Sequence, residues 1–446
     1  MTKFQKQMLT IAAAGALTAV TALPAMAFEN EFHGLFNFNA IFSNNINSTG
    51  GGTATKAYGD VNYMEQRVRL QYTAKASDDL KLVTHFEINN RYGAKDRTND
   101  TTVNPVGNGM DTAGSDLDTD GVNIQTKHAY LDFNVTKDVN VKLGLQAWKD
   151  SFGGILLDAD APGVLAVSKY GKTTVALGYM RYNDLYSYSD LRTTYTKAGD
   201  DTTDFALVDV SYSLNKDTKV GFAYYGLKDT ASGIAGATYN TLMLHTFGLN
   251  GSTKMSGVTL SGFAAMQSGT KEKAANADVD YKGYAYNLQV AAPVLGGNAK
   301  AGFLYVSGNS NSTDNGAWAN TGLSTFNDGG SMLIVRNSTH TATSTNSWIK
   351  GTSVSNVQYA YAGYAAPITD KLGVVANVGL GWDAQTNYRG GDFIGTEVNG
   401  EVNYKLYPTL TVLAQAGYLA LGDNLTYGLA TQRDPYSVRL GARFSF

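Results

Sequence analysis

The sequence predicts an all-β fold, a transmembrane antiparallel β-barrel of about 18 strands with 16 as the alternative, and three observations support it. Apolar and polar residues alternate along most of the chain after residue 28. Charged residues make up only 16% of the 446 residues, whereas glycine (49) and tyrosine (28) are abundant. Short turns and long polar connections follow each other in alternation. Transmembrane barrels combine these features because each strand turns one face to lipid and the other to the interior.

Residues 1–27 predict a cleaved signal peptide. Lys3 and Lys6 precede an apolar stretch, and residues 25–27 have the small-residue pattern A-x-A. A charged start, an apolar centre and a small-residue cleavage site are typical of secretory signals. An N-terminal anchor helix is the alternative. Residues 28–446 are then expected to form the exported barrel, which crosses the outer membrane many times and is surrounded by its lipid.

The C-terminal segment shows the alternation of a strand most clearly. Val438, Leu440 and Phe444 fall on one face, and Arg439 and Arg443 fall on the other. Similar runs are predicted to begin near residues 31, 62, 80, 122, 139, 163, 173, 203, 218, 239, 257, 279, 298, 353, 371, 393, 409 and 433. The count is even and both chain ends lie on the short-turn side, as in outer-membrane barrels with short periplasmic turns and long extracellular loops. A large soluble β-sandwich or β-helix is the alternative.

Several classes of function are disfavoured by composition and motifs. The chain has no cysteine, which excludes disulfides and thiolate metal sites. Its 35 basic and 38 acidic residues argue against a nucleic-acid partner. None of the usual catalytic or nucleotide-binding motifs is present, so we expect no enzyme and no cofactor.

One weak metal signal lies in a predicted extracellular loop. Asp116, Asp118 and Asp120 precede a glycine with the D-x-D-x-D-G spacing that places carboxylates around calcium. The position that needs a glutamate in a calcium-binding loop is Lys127. A solvated acidic loop is the alternative to a calcium site.

Together, the signal peptide, the tyrosine- and glycine-rich alternating strands, the absence of cysteine and the terminal Phe446 resemble Gram-negative outer-membrane porins of the general-diffusion type. The resemblance implies a water-filled channel for passive diffusion of ions and small hydrophilic solutes, built as a homotrimer. It also implies that the barrel-assembly machinery recognises the terminal strand, with Phe446 as the main determinant.

A basic wall is predicted on the inner face where the barrel closes. Arg67 and Arg69 lie on the second strand, and Arg439 and Arg443 lie on the last. Closure would place these two strands on either side of the first one, and Arg91 would extend the wall towards the outer mouth. A barrel of 16 to 18 strands is too wide for its side chains to fill, so this wall would border water.

The connection 150–163 is expected to face the basic wall. It combines Asp150, Asp158 and Asp160 with an apolar centre, which must bury itself. Porins of this type fold their third loop inward, so the resemblance implies a constriction with acidic residues opposite arginines and weak ion selectivity. The alternative is that the arginines only pair with glutamates of the wall, namely Glu65, Glu87, Glu397 and Glu401.

Two other functions remain open from the sequence. One is a sheath that encloses a partner protein, as in porin–cytochrome conduits. The other is a substrate-specific channel, which would need a continuous row of aromatic side chains along the interior; Trp148 and Tyr130 are predicted to face inward but form no such row. The long connection 309–352 is rich in Ser, Thr, Asn and Gly and is expected to be a polar extracellular loop.

Overall fold

A computed structural model describes most of the predicted barrel, in the ranges 29–44, 61–93, 124–184, 202–230, 241–272, 278–309, 315–322, 324, 326, 334, 354–386, 391–426 and 433–446. The predicted signal peptide, residues 1–27, lies outside the described residues. The predicted calcium loop with Asp116, Asp118 and Asp120 lies outside them as well. Both therefore stay predictions.

The described strands form one closed antiparallel sheet. Each strand pairs with its neighbours in sequence, and the first strand pairs with the last. The strands are β1 (Glu29–Ser43), β2 (Val61–Ser77), β3 (Leu80–Arg91), β4 (Gln125–Thr136), β5 (Val139–Lys149), β6 (Asp158–Tyr170), β7 (Thr173–Asp184), β8 (Thr202–Ser213), β9 (Thr218–Asp229), β10 (Thr241–Met255), β11 (Val258–Glu272), β12 (Val279–Tyr281), β13 (Tyr284–Val294), β14 (Gly297–Val306), β15 (Val357–Pro367), β16 (Leu372–Trp382), β17 (Phe393–Tyr407), β18 (Leu410–Leu421) and β19 (Tyr436–Ser445).

The barrel has eighteen spans in the described residues, because β12 and β13 both pair with β11 and are two segments of one span. This confirms the predicted fold class and the larger of the two predicted strand numbers. Short connections such as 137–138 and 171–172 gather at one end of the barrel, here called the turn end. The long connections gather at the opposite end, here called the loop end.

One helix is present in the described part of the chain, the single turn α1 (Asp423–Thr426). Within the described ranges, no helix is long and apolar enough to cross a membrane.

The two faces of the sheet differ as the alternation predicts. Large apolar side chains on the outer face are exposed, among them Phe32, Leu70, Leu177, Leu249 and Met266. Exposed apolar side chains around a closed barrel form the surface that hydrocarbon would cover. The opposite parity of each strand faces the barrel interior and carries the polar and buried residues discussed below.

Strand starts agree with the sequence prediction to within a few residues, apart from one informative difference. The sixth strand was expected to start near residue 163, but β6 begins at Asp158, where it pairs with Lys149. Proline and glycine at 162 and 163 suggested a connection there. Pro162 faces outward at an exposed position, and the register of β5 and β6 is continuous through it.

The barrel closes at the seam between β1 and β19. The register runs from Leu35 opposite Ser445 to Ser43 opposite Ser437. Phe446 extends it, since Gly34 N–H donates to Phe446 O at 2.9 Å and Phe446 N–H donates to Gly34 O at 3.1 Å. The Phe446 ring lies on Gly34, where a Cβ atom would be 2.1 Å from the ring. Gly34 therefore provides the space for the terminal aromatic ring.

We expect Gly34→Ala to displace the Phe446 ring and to lower barrel stability by about 1–3 kcal/mol, the usual cost of overpacking. The measurement is the urea unfolding midpoint of the protein in lipid vesicles. Gly400→Ala is the matched control, because its Cβ would lie 3.1 Å from its nearest neighbour, Val375 O. Equal midpoints for the two variants would contradict this role of Gly34.

Candidate functional site

The connection between β5 and β6 packs against the inner wall of the barrel. Phe152, Ile155 and Leu156 are almost completely buried. The Phe152 ring lies 5.5 Å from Tyr225 and 5.7 Å from Phe263, which belong to the inner faces of β9 and β11. The apolar centre of this loop is thereby removed from water, as its apolar residues predict. The inward segment is residues 150–157, shorter than the predicted 150–163.

Asp150 holds this inward loop together. Its carboxylate accepts hydrogen bonds from the backbone N–H groups of Phe152, Gly154, Leu156 and Leu157, at 2.6, 3.0, 2.7 and 2.7 Å. Burial raises the pKa of the Asp150 carboxyl, and the four N–H donors act in the opposite direction. The side chain is thus committed to the fold of its own loop and not to the open interior.

A second segment, residues 315–322, lies inside the barrel on top of the first. The Trp318 indole N–H donates to Ile155 O at 3.1 Å, and the Thr321 N–H donates to Leu156 O at 3.1 Å. Gln267 of β11 binds the same segment with two hydrogen bonds. Its side-chain amide donates to Ala319 O at 2.7 Å and accepts from Ala319 N–H at 2.9 Å. The two segments, here called the docked loops, form one hydrogen-bonded layer.

This placement differs from the expected polar extracellular loop at 309–352. Among its described residues, Trp318, Phe326 and Ile334 are buried with the apolar cluster of the inner wall. Their scattered apolar side chains show no period, because they pack as a loop against a curved wall and not as a strand. The remaining residues of this connection lie outside the described ranges.

The predicted basic wall assembles at the seam. Asn37 of β1 lies opposite Arg67 of β2 on one side and opposite Arg443 of β19 on the other. Arg69 lies opposite Leu35, and Arg439 lies opposite Ile41, all with the inward parity. Arg91 lies opposite Glu65 at the loop end of β3 and is exposed. The structure therefore brings the five predicted arginines onto neighbouring strands of one wall.

Ion pairs within the described ranges link Glu87 and Glu401 to these arginines. Glu87 lies 3.3 Å from Arg67 Nη2 and accepts a hydrogen bond from Arg69 Nε at 2.5 Å. Glu401 lies 3.6 Å from Arg439 Nη2. Wall pairing, the alternative weighed in the sequence analysis, is thus present in part.

The other two glutamates have amide or backbone partners. Glu397 accepts from the Ile334 N–H at 2.9 Å and from the Asn399 side-chain amide at 2.8 Å. Glu65 accepts from Asn39 Nδ2 at 3.2 Å. The polar wall is therefore a connected network of charges and amides that spans several strands.

Exposure of the side chains along this wall falls from the turn end to Arg439 and Glu65 and is high again at Arg91. Arg443 near the turn end is exposed, and the side chains of Arg69 and Arg67 are 28% and 16% exposed. Further up, Arg439 is 4% exposed and Glu65 is completely buried. Inward side chains that stay exposed inside a closed barrel border open space, so this space narrows from the turn end to the level of Arg439 and Glu65.

Asp158 and Asp160 contact side chains of β4 and β5. Asp158 is the first residue of β6 and shares the parity of the exposed residues Pro162 and Val164 on the outer face. Asp158 lies 2.5 Å from Lys149 Nζ, and Asp160 contacts Lys127 and His128. Asp150 is thus bound within its own loop, Asp158 to Lys149, and Asp160 to Lys127 and His128, so an acidic side opposite the arginines stays a prediction. Strand β6 begins earlier than predicted, which places Asp158 beside Lys149 on the outer face and Asp160 beside Lys127 and His128 of β4.

Several residues with important contacts in the interior were not predicted from the sequence. Gln267 and Trp318 hold the docked loops, and Asp209 of β8 accepts from Ser151 Oγ and from Tyr225 Oη, the latter at 3.2 Å. Asp209 was identifiable as an inward carboxylate from strand parity alone. Its partner Ser151 was not, because only the docked loop brings it near. In the described ranges, no group of three or more His, Asp or Glu side chains could hold a metal ion.

The fold is similar to those of several solved outer-membrane porins. The BenF-like porin of Pseudomonas fluorescens Pf-5 has 14% identical residues and a TM-score of 0.57, covering 94% of this chain and 98% of that one. For OccK9 (OpdG) of Pseudomonas aeruginosa the values are 13%, 0.56, 94% and 98%. For OpdK of P. aeruginosa they are 12%, 0.55, 93% and 98%. These likenesses support a porin fold for the chain.

The sequence comparisons find no relative. No protein-family model matches the chain, and no curated protein matches it.

We expect Asp150→Asn to release the loop 150–157 from the inner wall. The amide NH₂ would face N–H donors of the loop, so hydrogen bonds worth about 1.5–3 kcal/mol would be lost. The measurement is limited proteolysis of the folded protein, with new cleavage expected within 150–157.

Asp158→Asn is the matched control, because it removes a nearby carboxylate that faces outward beside Lys149. We expect it to leave the cleavage pattern unchanged. New cleavage in both variants, or in neither, would contradict the anchoring role of Asp150.

Proposed function

We propose that this protein is an outer-membrane porin through which ions and small hydrophilic solutes diffuse passively. The observation that carries the proposal is the division of the barrel interior into two halves. The docked loops cover the inner faces of β8–β11 with apolar contacts. The seam from β16 through β19 to β3 keeps charged and amide side chains on its inner face, and several of them remain exposed. Charged side chains that stay exposed on the inner face favour water beside them.

The inner wall favours polar solutes, because its positive and negative charges nearly cancel. Arg67, Arg69 and Arg439 are each near a carboxylate of Glu87 or Glu401. Paired charges of both signs along a narrow path order water and stabilise dipolar solutes while giving weak selectivity between cations and anions. Similarity to OpdK, whose structure has been solved with vanillate, supports small organic solutes as part of this class.

The sheath alternative is disfavoured by the same geometry. A barrel that encloses a partner protein needs a clear interior, whereas the docked loops occupy the inside of this one. A homotrimeric assembly and recognition of the Phe446 strand by the barrel-assembly machinery belong to the present proposal.

The experiment is single-channel recording of the purified protein in a planar lipid bilayer. We expect steady conductance that scales with salt concentration and a small reversal potential across a salt gradient. A correctly folded barrel without conductance would overturn the channel proposal.

We expect Glu87→Gln to raise the anion-to-cation permeability ratio about sevenfold, because the change favours an anion and disfavours a cation by the same free energy. Removing one charge about 7 Å from the path changes the electrostatic free energy of an ion by about 0.6 kcal/mol in a water-like medium. The measurement is the reversal potential under a potassium chloride gradient.

Glu29→Gln is the control for this prediction, since its carboxylate pairs with Lys75 at the exposed turn end. We expect that control to keep the wild-type ratio. An unchanged ratio in Glu87→Gln, or a shift towards cations, would show that this wall does not border the ion path.

A further inference from the structure

Two histidines face each other across β3 and β4 on the inner wall, beside the arginine wall. They are not among the side chains assigned to the solute path. His85 Nδ1 and His128 Nδ1 are 3.3 Å apart, and their ring centroids are 5.0 Å apart. His85 lies opposite Gln71, so it has the inward parity of Arg69 and Glu87. Both side chains are partly accessible.

A β-bulge in β4 sets the direction of the His128 side chain. Between the pairs His85–His128 and Phe86–Thr126, strand β4 contains one extra residue, Lys127. A bulge bends its strand and redirects the side chains around it. As a result, Lys127 and His128 both reach Asp160, two strands away.

Asp160 determines which nitrogen of His128 carries the proton. Asp160 Oδ1 lies 2.9 Å from His128 Nε2, and an ionised carboxylate can only accept. Nε2 is therefore the protonated nitrogen, and the lone pair of Nδ1 points to His85. A carboxylate behind one nitrogen of a histidine is the usual second contact of a metal-binding imidazole, which orients the ring and increases its basicity.

The separation of the two nitrogens fits a bound ion. A tetrahedral ion with two metal–nitrogen bonds of about 2.0–2.1 Å holds the nitrogens about 3.3–3.4 Å apart. Imidazole pairs suit zinc and copper, whereas calcium and magnesium require oxygen ligands. We propose that His85 and His128 form a two-histidine site for a divalent transition-metal ion, with water in the other positions.

The charges around the pair are compatible with a cation. Lys127 and Arg69 lie nearby, but each contacts a carboxylate, Asp160 for Lys127 and Glu87 for Arg69. The paired carboxylates offset the repulsion that these two side chains would exert on an ion. With only two protein ligands, the site would bind metal reversibly and remain open to the interior.

The test is copper titration of the full-length folded protein in detergent, without a polyhistidine tag. Electron paramagnetic resonance reports how many imidazole nitrogens bind the ion, and calorimetry reports the affinity. We expect one ion per chain with two nitrogen ligands. His85→Gln and His128→Gln should each lower the affinity at least tenfold and leave one nitrogen ligand.

Asp160→Asn tests a residue that positions His128 but does not itself bind the ion. We expect it to keep two nitrogen ligands but to lower the affinity about tenfold, in the range found for contacts behind metal ligands. His245→Gln is the matched control, because His245 stacks on Tyr224 and Phe247 on the outer face, and it should bind copper as the wild type does.

If His85→Gln and His128→Gln both bind copper with wild-type affinity, the proposed site is wrong, and the two histidines are joined only by a hydrogen bond. Two-nitrogen coordination that survives either substitution would overturn the site equally. Should one variant fail to fold, the other decides the question. None of these readouts depends on conductance, so they are independent of the proposed channel.

Discussion

Closure of the sheet at the β1–β19 seam is the constraint on which the rest of the structure depends. Every strand finds a partner on both sides only because Leu35–Ser43 pairs with Ser437–Ser445. A sheet surrounded by hydrocarbon cannot leave an edge of unpaired N–H and C=O groups. Eighteen spans closed in this way enclose more space than inward side chains can fill. The interior must therefore be filled by other parts of the chain or by water; the docked loops fill one part of it, and the proposed channel assigns the rest to water.

The division of the interior follows from the chemistry of the inner wall. Where the inward residues are Phe205, Tyr225 and Phe263, apolar loop residues replace water and gain by burial. Where they are arginines, glutamates and asparagines, no apolar loop could cover them without leaving polar groups unsatisfied. The docked loops are held on their side by directed contacts, chiefly the Asp150 carboxylate and the Gln267 amide. The same barrel can thus be rigid on one side and hydrated on the other.

Sequence reasoning reached the fold and the arginine wall but not the contacts of Asp150, Asp158 and Asp160. The wall followed from topology, because closure makes the second and last strands neighbours of the first whatever the details. The position of Asp158 depended on where β6 begins, and in a strand of period two such a detail decides which face a residue occupies. The inward path of residues 315–322 had no periodic signal, since Trp318 and Ala319 are held by contacts far away in sequence.

The sequence by itself determined the alternation, a barrel of 16 or 18 spans and the arginines that share a wall, because these follow from local period and from antiparallel order. Tertiary structure alone decided which carboxylate each arginine contacts, with Glu87 and Glu401 next to guanidiniums and Glu397 beside a loop amide. It also decided that His85 and His128 meet. Such contacts depend on the register, the bulge at Lys127 and the docking of loops. These are outcomes of packing the whole barrel, and no short stretch of sequence encodes them.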